Sequence, residues 1–437
     1  MSLRIALVTT FYPPHNFGGD GIYVQRLARA LSELGCDVSV IYDQDAFNAL
    51  ATPDRRNPDS VAQPSGVKIH ALSHKAGLLS VLATQQLGHP VFNAKALDKL
   101  FEAGQFDIIH YHNISLVGGP GLLGHGSAPI KLYTAHEHWL VCPTHILWKN
   151  NSKLCESRSC ISCQLVYKKP PQLWRYTNLL QRSLDEVDAF IALSHSSAQN
   201  HEKFGFKKKM RVMPSFLPNA PAPDLANWTM PEKPYVLFAG RLELIKGLQD
   251  VIEIFDDSFP VELKIAGSGD FEPQLRRMAA DSSKVTFLGR VEPENLIRYY
   301  RNALALIAPS KCYEVFPLVA LEAFQQAVPL IARNIGSYPE IVTQSKAGLL
   351  FEDKTDLKMK ILELSSDPAL RKELSQNAYH AFQTYWSEAA SLSEYFSLIE
   401  SLAEEKGHKT LSAKARSLRD ALLPFKSFAA SSPAEHL

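Results

Sequence analysis

No stretch of this chain approaches the roughly 20 consecutive apolar residues that would span a bilayer. It also lacks an excess of either charge. Lys and Arg number 46 against 45 Asp and Glu, a formal net charge of +1, so nothing argues for a nucleic-acid partner. Two short basic groups, Lys168-Lys169 and Lys207-Lys208-Lys209, read as solvated surface, with a membrane-facing patch as the alternative. No short-period repeat and no long low-complexity segment interrupts the chain. The opening residues, MSLRIALVTT, form a strand-like apolar run without a cleavage site. These absences lead to the expectation of a cytoplasmic globular protein whose membrane contact is at most peripheral, at the inner face.

What is present is an alternation. At 437 residues the chain exceeds one ordinary core, so two domains are expected. Arg4–Thr9, Cys36–Tyr42, Asp107–His110, Ile130–Thr134 and Ala189–Leu193 are short apolar runs that read as strands buried on both faces. Ile22–Leu34 carries Leu27, Ala30, Leu31 and Leu34 at helical spacing. Near Pro214 the alternation stops. Six prolines (214, 218, 221, 223, 231 and 234) mark a linker, because proline sustains neither ladders nor helix interiors. It then restarts with Tyr235–Ala239, Val261–Ala266, Val285–Leu288, Leu304–Ala308 and Pro329–Ala332. The expected class is α/β, with two facing Rossmann-like doubly wound domains and a deep cleft between them. The expected division is residues 1–215, a linker at 216–234, a second domain at 235–395 and a helical tail at 396–437, frayed at its tip.

In such sheets ligands bind beyond the carboxyl ends of strands. Three loops lie there. FYPPHNFGGDG, Phe11 to Gly21, offers Gly18, Gly19 and Gly21 for close backbone approach, with a helix N-terminus behind them that suits phosphate. A plain strand-to-helix turn is the alternative. AGRLELIKG, Ala239 to Gly247, carries Arg241 and Lys246, two cations that suit a diphosphate; an exposed pair with Glu243 is the plainer reading. The third loop, KCYEVFPLVALEAF, places Glu314 before a helix that Pro317 would open, and Glu322 on that helix roughly 7–8 Å further along its axis. A partly buried carboxylate needs hydrogen-bond donors, and sugar hydroxyls are donors. Two solvated helix-surface glutamates are the bland alternative.

Taken with TAHEHW, DAFIALSHSSAQN, IAGSGD, VTFLGRV and YEVFPLVALEAFQQAVPLIARNIGSYPEIV, these segments make the chain resemble a family 4 glycosyltransferase of GT-B fold, over roughly Arg4 to Tyr395. The resemblance implies retaining transfer of a sugar from a nucleotide-diphosphate sugar to an acceptor hydroxyl, with no cofactor for catalysis. It implies that Arg241 and Lys246 bind the donor diphosphate, Glu314 the donor sugar, Glu322 the ribose, and that Gly18 and Gly19 lie near the phosphates. His136 would sit by the reacting centre. The family's commoner motif has glycines where Val315 and Pro317 stand, which would shift phosphate contact to Phe316 and Leu318. The acceptor, a glycan or lipid-linked molecule, is not named by the sequence. A nucleotide-sugar epimerase and a non-catalytic sugar-nucleotide-binding protein are the competing readings.

Cys142, Cys155, Cys160 and Cys163 follow the spacing C-x12-C-x4-C-x2-C within an apparent insertion at about 142–163. Four thiolates could hold a structural zinc, and a disulfide pair or free thiols is the alternative. In the family this domain receives the acceptor, so the insertion would shape acceptor choice. After it, Trp174, Tyr176, Leu179 and Leu180 with Lys168, Lys169 and Arg175 fit either an interfacial helix or an ordinary packed one.

Overall fold

The computed structural model describes residues 2–56, 58–225, 229 and 231–430, the side chains of 54 and 424–430 excepted. The chain divides into two units: residues up to 215 together with Ser391–Pro424, and Phe216–Ala390.

The first unit holds a seven-stranded parallel sheet. Its strands are β1 (Arg4–Val8), β2 (Asp37–Asp43), β3 (Val67–Leu72), β4 (Ile108–Tyr111), β5 (Ile130–Ala135), β8 (Ala189–Ala192) and β9 (Met210–Val212), in the order β3-β2-β1-β4-β5-β8-β9. Between β5 and β8 lies a small antiparallel hairpin, β6 (Trp148–Lys149) with β7 (Lys153–Leu154). The second unit has six parallel strands: β10 (Tyr235–Ala239), β11 (Glu262–Ala266), β12 (Val285–Gly289), β13 (Ala305–Ala308), β14 (Leu330–Arg333) and β15 (Gly348–Phe351). Their order is β12-β11-β10-β13-β14-β15. Each sheet reverses its winding once, between β1 and β4 and between β10 and β13. Those are the switch points at which the ends of neighbouring strands open a crevice.

The period of two along each strand builds the second core. Leu237 and Ala239, Leu306 and Ala308, and Leu330 and Ala332 face one side of the sheet with Ala320, Phe324 and Trp386. Val236, Phe238, Ile307 and Ile331 face the other, against Phe255, Leu357 and Ile361. Strands buried on both faces are apolar throughout, which is why the central ones stand out in the sequence. The strands β3, β9 and β15 were not expected. They lie at sheet edges and are largely half-buried or exposed; Lys68 and His70 interrupt β3, Arg211 interrupts β9, and β15 is apolar but only four residues long.

Two further expectations are corrected. Pro317 does not open the helix. It is the extended residue just before it (φ −79°, ψ 106°), and the helix is Leu318–Gln325. Nor does the helical tail expected at 396–437 stand apart from the domains. Within the helices Glu388–Glu405 and Lys409–Ala430, residues 391–424 belong to the first unit. There Phe396, Ile399, Ala403 and Ala415 are buried, the Tyr395 ring stacks on His110 at 5.6 Å, and Lys406 pairs with Asp188 at 2.7 Å. The expected frayed tip, Phe428–Leu437, lies mostly outside the described residues, as do 226–228 and 230 of the proline-rich linker. The linker's start is packed: Leu217 is buried in the second core, and Gln325 donates to the Pro218 carbonyl at 2.7 Å.

Trp386 is fully buried and stacks on Phe324 at 5.6 Å. Replacing Trp386 by alanine should lower the second unit's unfolding free energy by about 3–5 kcal/mol, from lost transfer energy plus the cavity left behind. Urea unfolding followed by tryptophan-independent circular dichroism measures this, and a loss below ~1 kcal/mol would show that the ring is not part of that core.

Candidate active site

In the second unit three loops meet beyond the switch point. The loop after β10 is drawn against the loop after β13. Gly247 (φ 77°) has no room for a side chain, since a Cβ there would fall 1.9 Å from the Pro309 carbonyl oxygen. The Lys311 amide donates to the Ile245 carbonyl at 2.8 Å and fixes the same approach. The loop after β14 arrives through Gly336 (φ 63°), whose Cβ would lie 3.0 Å from the Glu314 nitrogen.

This packing brings Lys246 onto Glu314. Nζ lies 2.6 Å from Oε1, and the two side chains are only 20% and 17% exposed. The same Oε1 accepts from the Ser310 hydroxyl at 2.8 Å and lies 3.9 Å from the Cys312 sulfur. Burial opposes both charges, but each outweighs that cost for the other: Glu314 is held below the usual carboxylate range and Lys246 above the usual ammonium range. The Cys312 thiol is pushed up to about 12, by burial first and by Glu314 second. Arg241 is 65% exposed and pairs with Glu243 at 2.7 Å, the plainer arrangement read from the sequence. Its charge still acts on Glu314 and Lys246. Glu322, half-buried on the helix Leu318–Gln325, accepts from the Tyr300 hydroxyl at 3.0 Å. Phe316 packs on the core and Leu318 begins that helix.

A second constellation occupies the switch point of the first unit. Gly18 caps the helix Gly19–Glu33, and Asn16 ties the turn by donating to the Gly18 carbonyl at 2.7 Å. A Cβ at Gly18 would make only an ordinary contact with Asp20 Oδ1 at 3.5 Å, whereas a Cβ at Gly21 would strike Asn16 at 2.4 Å. His136 follows β5, and its Nε2 lies 3.0 Å from Nδ1 of His112, which follows β4. The Tyr23 ring lies 4.9 Å from His136 and the His110 ring 4.1 Å from His112. Burial pushes His136 down to about 4 and His110 to about 3, so both imidazoles are neutral at neutral pH. His112 is held well below its ordinary value by burial first and by its two histidine neighbours. One ring of the His112–His136 pair therefore donates an N–H and the other accepts it. Asp20 accepts from Asn113 at 3.0 Å, and Glu137 pairs with His145 at 2.6 Å.

His112, Asp20, Asn113 and Ser310 were not singled out in the sequence. The available signal was position, since all but Asp20 stand within two residues of a strand's carboxyl end.

Two family models match the chain. Glycosyltransferase Family 4 matches residues 17–218, and Glycosyl transferases group 1 matches residues 227–381. The chain belongs to the family 4 glycosyltransferases. Among curated relatives, a D-inositol 3-phosphate glycosyltransferase of Acidothermus cellulolyticus is 28% identical over 424 residues, covering 88% of this chain and 87% of the relative. Among solved structures, sucrose-phosphate synthase from Thermosynechococcus elongatus superposes with a TM-score of 0.68 at 22% identity, covering 92% of this chain and 100% of that one. HepE of Anabaena, solved in complex with UDP, gives 0.61 at 16% identity, covering 91% and 100%. These two likenesses are of fold, and they are GT-B glycosyltransferases with two Rossmann-like domains.

Within this glycosyltransferase the cysteine segment surrounds the β6–β7 hairpin. Cys142, Cys155, Cys160 and Cys163 are free thiols, with Cys142 and Cys163 buried. The Asn150 amide donates to the Cys163 sulfur at 3.3 Å, and Cys142 contacts the Thr144 hydroxyl at 3.3 Å. Burial raises Cys155, and the three other sulfurs raise it further, so the four lie in one neighbourhood. Among the described residues no group of three or more His, Cys, Asp or Glu is arranged to hold a metal ion. The zinc expected from the spacing rests on the sequence alone.

The Lys246–Glu314 pair sets a pH dependence. Glu314, depressed in the fold, contributes stability above its unfolded value of about 4.3, and this is lost as pH falls through the folded value. Lys246, raised in the fold, contributes below about 10.4 and loses this as pH rises through its folded value. Glu314→Gln should cost about 3 kcal/mol at pH 7 and should flatten the acid side of the stability curve. Urea midpoints from pH 7 to pH 3 check this; parallel curves for the two proteins would count against the pairing.

Proposed function

We propose that this glycosyltransferase moves a sugar from a nucleotide-diphosphate sugar to an acceptor hydroxyl with retention of anomeric configuration, in polysaccharide or glycolipid assembly. The carrying observation is the half-used carboxylate of Glu314. Its three described side-chain contacts, Lys246, Ser310 and Cys312, all reach Oε1. Oε2 is left to accept from donor-sugar hydroxyls. An ammonium has three N–H donors, so Lys246 can hold Glu314 and still face a diphosphate. Arg241, exposed beside it, adds a planar fork for phosphate oxygens. The amides of Phe316 and Leu318, and those of Gly18 and Gly19, supply further donors for phosphate. Glu322 takes the ribose hydroxyls. Neutral His136, oriented by His112, hydrogen-bonds the donor sugar near the reacting carbon. The UDP complex of HepE supports a nucleotide-linked donor.

The reaction breaks the bond between the anomeric carbon and the phosphate oxygen, and the electron pair stays with the nucleoside diphosphate. Lys246 and Arg241 meet that charge as it develops. The acceptor oxygen bonds to the anomeric carbon from the face the phosphate leaves, and its proton passes to a phosphate oxygen.

Thermal-shift screening of the full chain against a panel of nucleotide sugars, followed by mass detection of transfer, tests this reading. Lys246→Ala should lower kcat by about 10²–10³-fold, the magnitude of losing one preorganised charge stabiliser. Arg241→Ala should weaken donor binding by roughly 10-fold to 100-fold, from one lost charge-assisted bond, with an unchanged melting temperature. Full turnover in Lys246→Ala would end the assignment. Release of an isomerised nucleotide sugar without acceptor would show an epimerase instead.

A further inference from the structure

The helix Leu78–Leu87 has its polarity inverted. It turns Ser80, Val81 and Thr84 inward, and leaves Leu78 65% and Leu79 64% exposed, with Leu82 and Leu87 exposed beside them. A surface helix ordinarily does the reverse. It carries no charged residue. The segment after the cysteine hairpin repeats the pattern. On the helix Cys160–Val166, Ile161 and Leu165 are exposed, Leu165 by 63%, and so are Leu173 and Tyr176 on the next turn. The two elements are joined: the Pro170 carbonyl accepts from Gln85 at 2.9 Å and from Gln164 at 3.2 Å. Gly88, just after the first helix, packs on Trp174, which is buried and does not belong to the exposed set. The two elements, tied at Pro170, together expose apolar side chains, and apolar surface of this kind marks interaction sites.

Charge identifies the occupant. Between Ser73 and Leu97 the chain has Lys75 and Lys95 and no acidic residue. Between Ser157 and Leu184 it has Arg158, Lys168, Lys169, Arg175 and Arg182, again with no acidic residue. Within these two stretches every charged residue is cationic; Asp98, Glu156, Asp185 and Glu186 stand just outside them, Asp185 paired with Lys208 at 2.6 Å. A second copy docking about a two-fold axis would set these cations against themselves. A sheet of lipid with anionic headgroups offers apolar depth for the leucines and negative charge for the lysines. A cavity of about 620 Å³ borders this apolar surface, sharing Ile161 and Tyr176 with it and carrying Arg158, Lys207, Lys208 and one acid, Asp185, in its wall. Among the described residues no helix is long and apolar enough to cross a membrane, so the contact is one of docking.

We propose that the face formed by the helix Leu78–Leu87 and the segment Ile161–Tyr176 docks this protein onto the surface of an anionic bilayer. The contact is separate from the donor chemistry, and its test needs no donor. Purified full-length chain is sedimented with phosphatidylcholine vesicles and with vesicles containing 30% phosphatidylglycerol, the latter figure being roughly that of an ordinary anionic surface. The expected result is at least about tenfold stronger partition onto the anionic vesicles, falling in 0.5 M salt, where the screening length is a little under half of its ~10 Å at 0.1 M. Leu79→Ser with Leu165→Ser should reduce partition about tenfold or more, since both side chains would otherwise be buried in the acyl boundary. Lys168→Gln with Lys169→Gln should remove about fivefold per lysine of the anionic preference. These residues are exposed, so circular dichroism and melting temperature should not change. Equal binding to both vesicle types would overturn the proposal, as would unchanged partition of the leucine variant. A dimer in light scattering that the leucine variant abolishes would assign the face to a second copy and overturn it equally.

Discussion

An ammonium and a carboxylate 2.6 Å apart, both mostly removed from water, hold the second unit's site together. Neither charge is stable there alone. A buried lysine sheds its proton and a buried glutamate gains one unless a partner makes the charged form worthwhile. Because each secures the other, the loops after β10 and β13 are fixed side by side with their charge intact. The glycines at 247 and 336 serve this closeness, since a single methyl at either would push backbone from backbone. A site built this way is preorganised: its electrostatics are set before a ligand arrives.

The first unit follows a different rule. Its switch point is lined by neutral imidazoles rather than by a charge pair. His110, His112 and His136 lie in contact and are kept unprotonated by burial. Such a group orients hydroxyls without imposing a charge. The two switch points thus differ in kind, one carrying a charge pair and the other a cluster of neutral rings.

How much of this is legible in the sequence depends on burial. The strand β10 is read to the residue, because Tyr235–Ala239 is apolar on both faces. The edge strand β3, with Lys68 and His70 in VKIHAL, is not, because half of it meets water. Glycosyltransferase membership is legible because several short motifs stand together in order. Lys246 and Glu314 are each visible as chemistry, yet their pairing is not, since 68 positions separate them. His112 escaped notice for a similar reason: it matters only once β4 and β5 lie side by side. The helix Leu78–Leu87 yields nothing to a search for amphipathic cores, since its leucines face outward.

The return of residues 391–424 to the first unit affects how the protein is made. On a ribosome the first 215 residues emerge long before Phe396 and Ile399 can cover them. The first unit's interior therefore stays incomplete until the second unit's residues have been synthesised. Vectorial synthesis ordinarily lets an N-terminal domain finish early; here part of that domain's own interior is made after the domain that follows it.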